Sequence, residues 1–373
     1  MNSFTFMDIV LLLGIAQGVF LAITLPIVHQ KNTKANAVLA LQLGLACILL
    51  LCKMGLYKVK GGEAVQWFIF GESLIFIFGP LGYMYLKRLL IQGQEQFRCP
   101  WWHYIPAGIY FLYLLYLNQL PMEEFARRGA SGEFDFIFFI VETLALIFNI
   151  GYWMLCLGVV RNYMRNEKEQ LSFTQKAIPF VKGTLIGIGG ILLAWSIGFV
   201  SIYFFKYRHT YFNYNAVWIG IPILIYGIGY YALKQPEIFR VAVPQPKTGP
   251  PAKARLNEPE IEHLKEKLET LIETDKIYLN NELTLRELSI QLNTTTNDLS
   301  WLLNNVYQSN FYDYINTYRI KAFLEKVEAK EHKRHTLLFL SMEVGFNSKS
   351  TFNKAFKAIL QDTPSSYIKK IEC

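Results

Sequence analysis

Two segments near the C-terminus share one spacing of small, turn-forming and apolar residues. In "LTLRELSIQLNTTTNDLSWLLNN" the small residue Ser289 is followed four positions later by Asn293, a residue type that tolerates a left-handed turn. In "HTLLFLSMEVGFNSKSTFNKAFK" Ser341 and Gly345 repeat this spacing about 52 residues further on. Each segment therefore predicts two short helices that cross at a small residue, the second helix exposing polar side chains. This is the spacing of a helix-turn-helix, whose second helix enters the major groove of DNA.

The other residues that could do chemistry form no comparable pattern. The five cysteines are scattered, and none of them forms a CxxC pair or a cluster with histidine. No nucleophile–base pair or phosphate-binding loop is present, and "GTLIGIGG" lies inside an apolar stretch. The sequence therefore predicts neither an enzyme nor a metal site nor a bound cofactor.

Residues 275–371 resemble the DNA-binding domain of the AraC family of transcription regulators. The stretches "FYDYINTYRI", "EVGFNSKSTFNKAFK" and "TPSSY" match the family's linker helix, its second helix-turn-helix and its closing Thr-Pro turn. Ser289, Ser341 and Phe323 stand where the family usually has alanine, so the side chains around these positions must pack slightly differently. The resemblance covers about a quarter of the chain. An apolar half followed by this domain is also similar to a group of membrane-tethered AraC-type regulators.

The resemblance implies base-reading roles for polar side chains on the second helix of each motif. These positions are Asn297, Ser300 and Trp301 in the first motif, and Lys349, Ser350, Thr351, Asn353 and Lys354 in the second. Asn, Ser and Thr can hydrogen-bond to base edges, and Lys can reach guanine or phosphate. Lys357 and the backbone near Thr363 are better placed for phosphates, which position a protein without specifying sequence. A core or partner-facing position is the alternative for Trp301.

Charge distinguishes the two motifs. Residues 281–305 carry one arginine and three acidic residues, a net charge of 1 − 3 = −2. Residues 349–370 carry five lysines and one aspartate, a net charge of 5 − 1 = +4. We therefore predict that the second motif supplies most of the electrostatic affinity for DNA and that the first mainly adds specificity.

The N-terminal part of the chain is too apolar for a soluble domain. Only 18% of all residues are charged, compared with roughly 25% in soluble domains. A membrane-spanning helix needs about 20 apolar residues, and runs of this kind occur at roughly 8–28, 36–56, 66–86, 102–118, 135–160, 181–204 and 214–233. The fourth run is the shortest. The predicted fold class is all-α: a seven-helix transmembrane bundle followed by a cytoplasmic helical domain with two helix-turn-helix motifs.

Basic residues in the short connections predict the orientation. With the N-terminus outside, the inner connections hold ten Lys and Arg and the outer connections hold seven, and five more follow the last span. Seven spans would then place the C-terminal domain in the cytoplasm, where DNA lies. The predicted location is the inner (cytoplasmic) membrane.

Two carboxylates, Glu72 and Glu142, interrupt the predicted spans. An ionisable side chain at such a depth is costly and usually faces the bundle interior or a water-filled cavity. By the predicted topology both lie in the outer half of the membrane, which makes them a candidate sensor site for a ligand or a cation. The alternative is a carboxyl that is kept neutral or paired with a residue such as Lys53.

The chain is predicted to comprise a membrane domain (1–234), a Pro-rich linker (235–257), an amphipathic helix (258–274) and the DNA-binding domain (275–373). The helix has Asn257 as its N-cap and Pro259 in its first turn. Its apolar face contains Ile261, Leu264, Leu268, Leu271 and Ile272. This face is too short to indicate a coiled coil, so we favour docking on the following domain over a pairing seam between two chains.

These patterns predict a membrane-embedded, sequence-specific transcription regulator. Its partners would be double-stranded DNA, the lipid bilayer and an unidentified small-molecule or protein signal. A homodimer is compatible but not required, because two motifs in one chain can read successive major-groove segments roughly 34 Å apart. The alternative is a membrane receptor or transporter whose helical domain docks a protein, and such a surface would expose apolar anchors rather than lysines.

Overall fold

The computed structural model describes residues 5–28, 32–58, 64–91, 94, 96–173, 177–205, 214–234 and 257–372. The chain packs into two compact units, one of residues 1–161 and 176–243 and the other of residues 162–175 and 244–373. All regular elements of the described residues are helices, and the only β-type pairing among them is an isolated bridge between Leu171 and Thr284. The all-α fold class is therefore confirmed. Residues 235–256, nearly all of the predicted linker, lie outside the described residues.

The first unit is built from long apolar helices and a few short ones. Their bounds are α1 Phe6–Val28, α2 Thr33–Lys58, α3 Ala64–Phe68, α4 Phe78–Leu90, α5 Ile105–Asn118, α6 Met122–Ala130, α7 Asp135–Gln170, α8 Ala177–Tyr203 and α9 Asn215–Lys234. A 3-10 segment, Ile69–Phe76, precedes α4, and another, Trp101–Tyr104, precedes α5. Helix α7 contributes residues 135–161 to the first unit and 162–170 to the second.

Fewer helices than predicted are long enough to cross a membrane. Among the described residues, α1, α2, α7, α8 and α9 satisfy both length and hydropathy, and Val65–Phe76 with Phe78–Leu90, bent by 41°, makes a sixth candidate. The predicted fourth span corresponds to α5, which has 14 residues, together with most of the 3-10 segment before it. The α5 helix alone is roughly 21 Å long, shorter than the hydrocarbon core of roughly 30 Å. The predicted count of seven is therefore not confirmed.

Hydrogen bonds at the ends of these helices give the direction of the short ones. The Arg88 guanidinium, at the end of α4, donates to the carbonyl of Lys34 at the start of α2 (3.0 Å). The Gln66 amide, in α3, donates to the carbonyl of Leu120 just after α5 (2.8 Å). The segment from α3 to α4 thus runs antiparallel to α2, and α5 returns toward the end of the unit where α3 begins.

The described residues of the second unit form seven further α-helices, most of them with well-formed N-termini. Their bounds are α10 Glu258–Glu273, α11 Leu285–Gln291, α12 Thr296–Asn305, α13 Phe311–Glu328, α14 Leu337–Glu343, α15 Lys349–Leu360 and α16 Pro364–Glu372. Side-chain oxygens cap six of them, at Asn257, Thr284, Thr295, Asn310, Thr336 and Ser348. Each cap accepts a hydrogen bond from a backbone N–H that would otherwise lack an intrahelical partner.

Helix α13 lies between two hydrophobic cores. One core joins α13 to α10, α11 and α12, and the other joins it to α14, α15 and α16. Leu264, Leu268 and Ile272 of α10 are buried in the first core against the first helix-turn-helix. The apolar face of α10 is thus covered within its own unit, as the docking interpretation expects.

Candidate nucleic-acid interface

The turns of the two helix-turn-helix motifs are built alike. Asn293 in the first and Gly345 in the second have positive φ angles of 53° and 95°. The next residue of each turn donates its N–H back to the carbonyl of the small residue, from Thr294 to Ser289 (2.9 Å) and from Phe346 to Ser341 (3.0 Å). The repeated spacing in the sequence therefore corresponds to a repeated backbone turn.

The second turn is much more crowded than the first. A Cβ atom added at Gly345 would lie 2.4 Å from the carbonyl oxygen of Tyr278 and 2.9 Å from that of Leu279. Both the positive φ and the close approach of the backbone require glycine at this position.

The serines that replace the family's alanines are buried with their hydroxyls satisfied. Ser289 donates to the carbonyl of Arg286 (2.8 Å), and Ser341 donates to that of Leu338 (2.7 Å). Phe323, the third difference, places its ring 4.7 Å from that of Phe352 in the second core. The three substitutions therefore keep both helix crossings tightly packed without leaving a buried polar group unpaired.

Helix α15 has one buried and one exposed face. Its N-cap, Ser348, accepts from the Thr351 N–H (3.2 Å), and its apolar face is buried in the second core. Five of the predicted contact residues lie on the exposed face: Lys349, Ser350, Asn353, Lys354 and Lys357. The helix thus presents three ammonium groups, an amide and a hydroxyl to solvent.

Two of the predicted base-reading residues point into the domain instead. Thr351 is 1% exposed, and its hydroxyl is hydrogen-bonded to that of Ser348 (2.8 Å). Ser300 is 9% exposed, and its hydroxyl accepts from the Asn304 amide (3.3 Å). The structure uses both hydroxyls inside the fold, so we exclude Ser300 and Thr351 from the candidate interface. Asn297 and Trp301 are half-buried on α12.

The difference in charge between the two motifs is also present in the structure, although one lysine of the second motif forms an ion pair. Lys370 forms an ion pair with Asp362 (2.8 Å) and holds the pKa of that carboxyl below its usual value. Lys349, Lys354 and Lys357 remain exposed on α15, while Glu282 and Glu287 are exposed in the first motif. The exposed positive charge is therefore concentrated on the second motif.

A comparison with known protein families agrees with this geometry. Residues 288–370 match the helix-turn-helix domain family. These residues are an AraC-type helix-turn-helix domain. The matched range of the AraC-type domain starts in α11 and ends in α16, so it includes both turns and the linking helix α13. No curated protein and no solved structure matches the chain.

A buried arginine on α13, which the sequence patterns did not predict, lies between the two motifs of the AraC-type domain. The Arg319 guanidinium, on α13, donates to the carbonyls of Tyr278 (2.7 Å) and Asn280 (2.6 Å) and lies 5.8 Å from the Phe346 ring. It is fully buried, and burial lowers its pKa to about 10, which leaves it charged at neutral pH. The signal in the sequence was an arginine between the apolar positions Ile315 and Ile320.

The candidate sensor residues of the first unit line one cavity of about 760 Å³. Glu72 accepts from the Tyr110 hydroxyl (2.9 Å), and Glu142 accepts from the Trp195 indole N–H (2.8 Å). Lys53 lines the same cavity. Among the described residues, no group of three or more His, Cys, Asp or Glu side chains could hold a metal ion.

Proposed function

We propose that this protein is a membrane-embedded, sequence-specific DNA-binding transcription regulator. The observation that carries the proposal is the exposed face of α15, where lysine, asparagine and serine side chains follow a helix-turn-helix turn. Asn353, Lys349 and Ser350 would contact bases, Lys354 would contact bases or phosphates, and Lys357 would contact phosphates. Asn297 and Trp301 would extend the interface to the first motif. Because one chain carries both motifs, a monomer can bind a bipartite site.

The apolar helices would hold the first unit in the inner membrane, with the AraC-type domain in the cytoplasm. The antiparallel course of α2, the α3–α4 segment and α5 supports a chain that crosses seven times, with α5 as a short crossing. The N-terminus would then lie outside. The cavity lined by Glu72 and Glu142 would receive the signal, and no enzymatic activity is proposed.

The alternative is a membrane receptor or transporter whose helical domain docks a protein. Protein-docking surfaces depend on buried apolar or aromatic anchors at their centre. The central exposed residues of α15 are instead Ser350, Asn353, Lys354 and Lys357. This polarity favours the DNA-binding function.

The proposal can be tested by selecting random DNA duplexes with the purified full-length chain in non-ionic detergent at a fixed salt concentration. We expect a bipartite sequence to be enriched, and Lys349→Ala or Asn353→Ala to abolish the preference in one half of it. Lys267→Ala, an exposed lysine on α10, is the matched control and should leave the preference unchanged. Sequence-blind binding, or no binding by a folded chain, would contradict the proposal.

A further inference from the structure

The cavity of the first unit is polar at one end and apolar along the rest of its length. Residues at the polar end come from the end of α2, the start of α7, the end of α8 and the start of α9, and they are Lys53, Glu142, Trp195, Tyr203, Tyr214 and Trp218. Glu72, in the 3-10 segment, lines the same cavity and accepts a hydrogen bond from the Tyr110 hydroxyl (2.9 Å). The cavity therefore has a distinct head region.

The remaining length of the cavity is suited to a hydrocarbon chain. It is lined mainly by aliphatic and aromatic residues such as Leu39, Phe180 and Ile228. Two amides in this part, Gln42 and Asn149, donate to the backbone carbonyls of Phe78 (3.3 Å) and Ile75 (3.0 Å). These two amides are already engaged, and the Tyr85 hydroxyl in the same lining has no hydrogen-bond partner among the described residues. Apart from that hydroxyl, this part offers a ligand mostly apolar contact. A volume of about 760 Å³ is in the range of small-molecule sites.

The charge at the polar end selects among amphiphiles. Two carboxyl groups, Glu72 and Glu142, share this cavity with one ammonium, Lys53, so carboxyl oxygens outnumber cations as partners for a bound head group. The Lys53 ammonium lies 4.8 Å from the centre of the Trp218 ring, so an aromatic face in this region already accommodates a positive charge. We propose that the cavity binds a single-chain amphiphile with a cationic head group, such as an alkylamine. This inference rests on the proposed sensing function and names its ligand class.

Intrinsic tryptophan fluorescence provides a direct test. Trp153, Trp195 and Trp218 line the cavity, so a bromine-labelled dodecylamine bound there should quench them in the full-length chain in non-ionic detergent. We expect saturable quenching by the amine and much weaker quenching by brominated dodecanoate. Glu142→Gln should weaken the apparent affinity about tenfold, as expected when a charge-assisted hydrogen bond is removed. Glu133→Gln, an exposed carboxylate, is the control.

Equal quenching by the amine and the carboxylate, tighter binding of the carboxylate, or no effect of Glu142→Gln would overturn the ligand class. These results would not change the outcome of the DNA-duplex selection. The ligand-class proposal and the DNA-binding proposal can therefore fail separately.

A second, independent observation concerns the end of α7. In the second unit, the segment after α7 lies against the AraC-type domain, and Leu171 forms a β-type bridge with Thr284. The hydroxyl of Ser172 donates to the carbonyl of Leu283 (2.8 Å) and accepts from the Arg319 guanidinium (3.0 Å). The Ser172 carbonyl accepts from Arg319 (2.8 Å) and from the Asn316 amide (3.2 Å). Ser172 is completely buried.

Arg319 connects this segment to both helix-turn-helix motifs. Its guanidinium binds the loop before the first motif and lies beside Phe346 and Gly345 of the second. We infer that Leu171 and Ser172 are an integral part of the DNA-binding unit and set the relative placement of its two motifs. Because α7 also carries Glu142, this segment gives the membrane unit a covalent route to the DNA-binding surface.

The test compares two duplexes with the full-length chain in detergent: the bipartite duplex enriched in the selection, and the same duplex with the half read by the first motif scrambled. Ser172→Ala removes both side-chain hydrogen bonds. It should weaken bipartite binding about tenfold while the affinity for the single half-site stays unchanged. Asn166→Ala, an exposed polar residue near the end of α7, is the control.

Two results would overturn the inference. An unchanged ratio of the two affinities would show that the segment does not place the motifs. An equal reduction on both duplexes would show that Ser172 only stabilises the fold. Both results presuppose a wild-type chain with a DNA preference, so neither can be confused with failure of the DNA-binding proposal.

Discussion

At the scale of single residues, Gly345 in the DNA-binding unit has a positive φ and no room for a side chain. The carbonyls of Tyr278 and Leu279 occupy the space that a side chain would need, and the Arg319 Nε atom would be 3.0 Å from a Cβ. The glycine therefore allows the second turn to pack directly on the buried arginine. Asn293, at the matching position of the first turn, meets the same φ requirement with a side chain.

Gly345→Ala should destabilise the DNA-binding unit by about 2–4 kcal/mol, because strain at positive φ adds to a steric clash with backbone. The measurement is amide hydrogen exchange across α13–α15 in the full-length chain, which reports local opening free energies. Ser350→Ala, at an exposed site on α15, should leave exchange unchanged. Equal protection in Gly345→Ala and wild type would show that the turn can relax at little cost.

At the scale of secondary-structure elements, the two motifs share a turn but present different surfaces. Helix α15 carries exposed lysines, whereas α12 has an acidic residue, Asp298, in its first turn and no basic residue in its last. The favourable electrostatic interaction with phosphates should therefore come mainly from α15.

Replacing Lys354 and Lys357 together by alanine should lower the slope of log binding constant against log salt by about 2 in magnitude, close to one for each phosphate that is no longer neutralised. The measurement is a salt titration of binding to the enriched duplex by fluorescence anisotropy. Lys267→Ala on α10 should keep the wild-type slope. A wild-type slope in the double variant would place the phosphate-binding residues elsewhere.

Helix α10 is predicted to be a stabilising part of the DNA-binding unit. Leu268 is completely buried in the first core, so Leu268→Ala should destabilise that unit by about 2–4 kcal/mol, because less apolar surface is buried and a cavity remains. Hydrogen exchange of α11 and α12 would report this destabilisation, with Lys267→Ala as the neighbouring exposed control. A change in oligomeric state without a change in exchange would instead support a pairing seam.

At the scale of the whole molecule, the proposed function requires the loop between α6 and α7 and the DNA-binding unit to lie on opposite sides of the membrane. This arrangement requires α7, α8 and α9 each to cross, because these three helices separate the loop from the DNA-binding unit. The proposed outside position of the N-terminus depends in addition on the α3–α4 segment and α5 both crossing, and the roughly 21 Å of α5 alone does not match an unperturbed bilayer core.

Single cysteines in a background without the five native ones can test the sidedness. Ser131→Cys, exposed between α6 and α7, should react with a membrane-impermeant maleimide in intact cells. Gln361→Cys, exposed after α15, should react only after permeabilisation and serves as the internal control. Protection of both positions in intact cells would mean that the loop between α6 and α7 faces the cytoplasm.

The features of the fold that could be predicted follow from patterns of residues that are close together in the sequence. The small residue, the turn residue and the capping residues of each motif lie within about ten positions of one another, so the sequence alone identifies both turns and the polar face of α15. Long apolar runs likewise identify membrane-type helices, because hydropathy is a property of a segment. The number of full-length spans was not predictable in the same way, since helix ends and the bend at Ile77 depend on packing.

The features that could not be predicted depend on contacts between residues that are far apart in the sequence. Ser300 and Thr351 have the right residue types for base contact, but only the rotation of α12 and α15 against their cores shows that both hydroxyls point inward. Glu72 and Glu142 are 70 positions apart, and the helix packing places them on one cavity. Arg319 and Ser172 are 147 positions apart, yet they form a buried hydrogen bond. The sequence by itself determined that the elements are helices and that α15 carries a lysine-bearing face, because these follow from neighbouring residues. The tertiary structure alone decided which distant groups share a buried site, because that depends on how the chain folds back on itself.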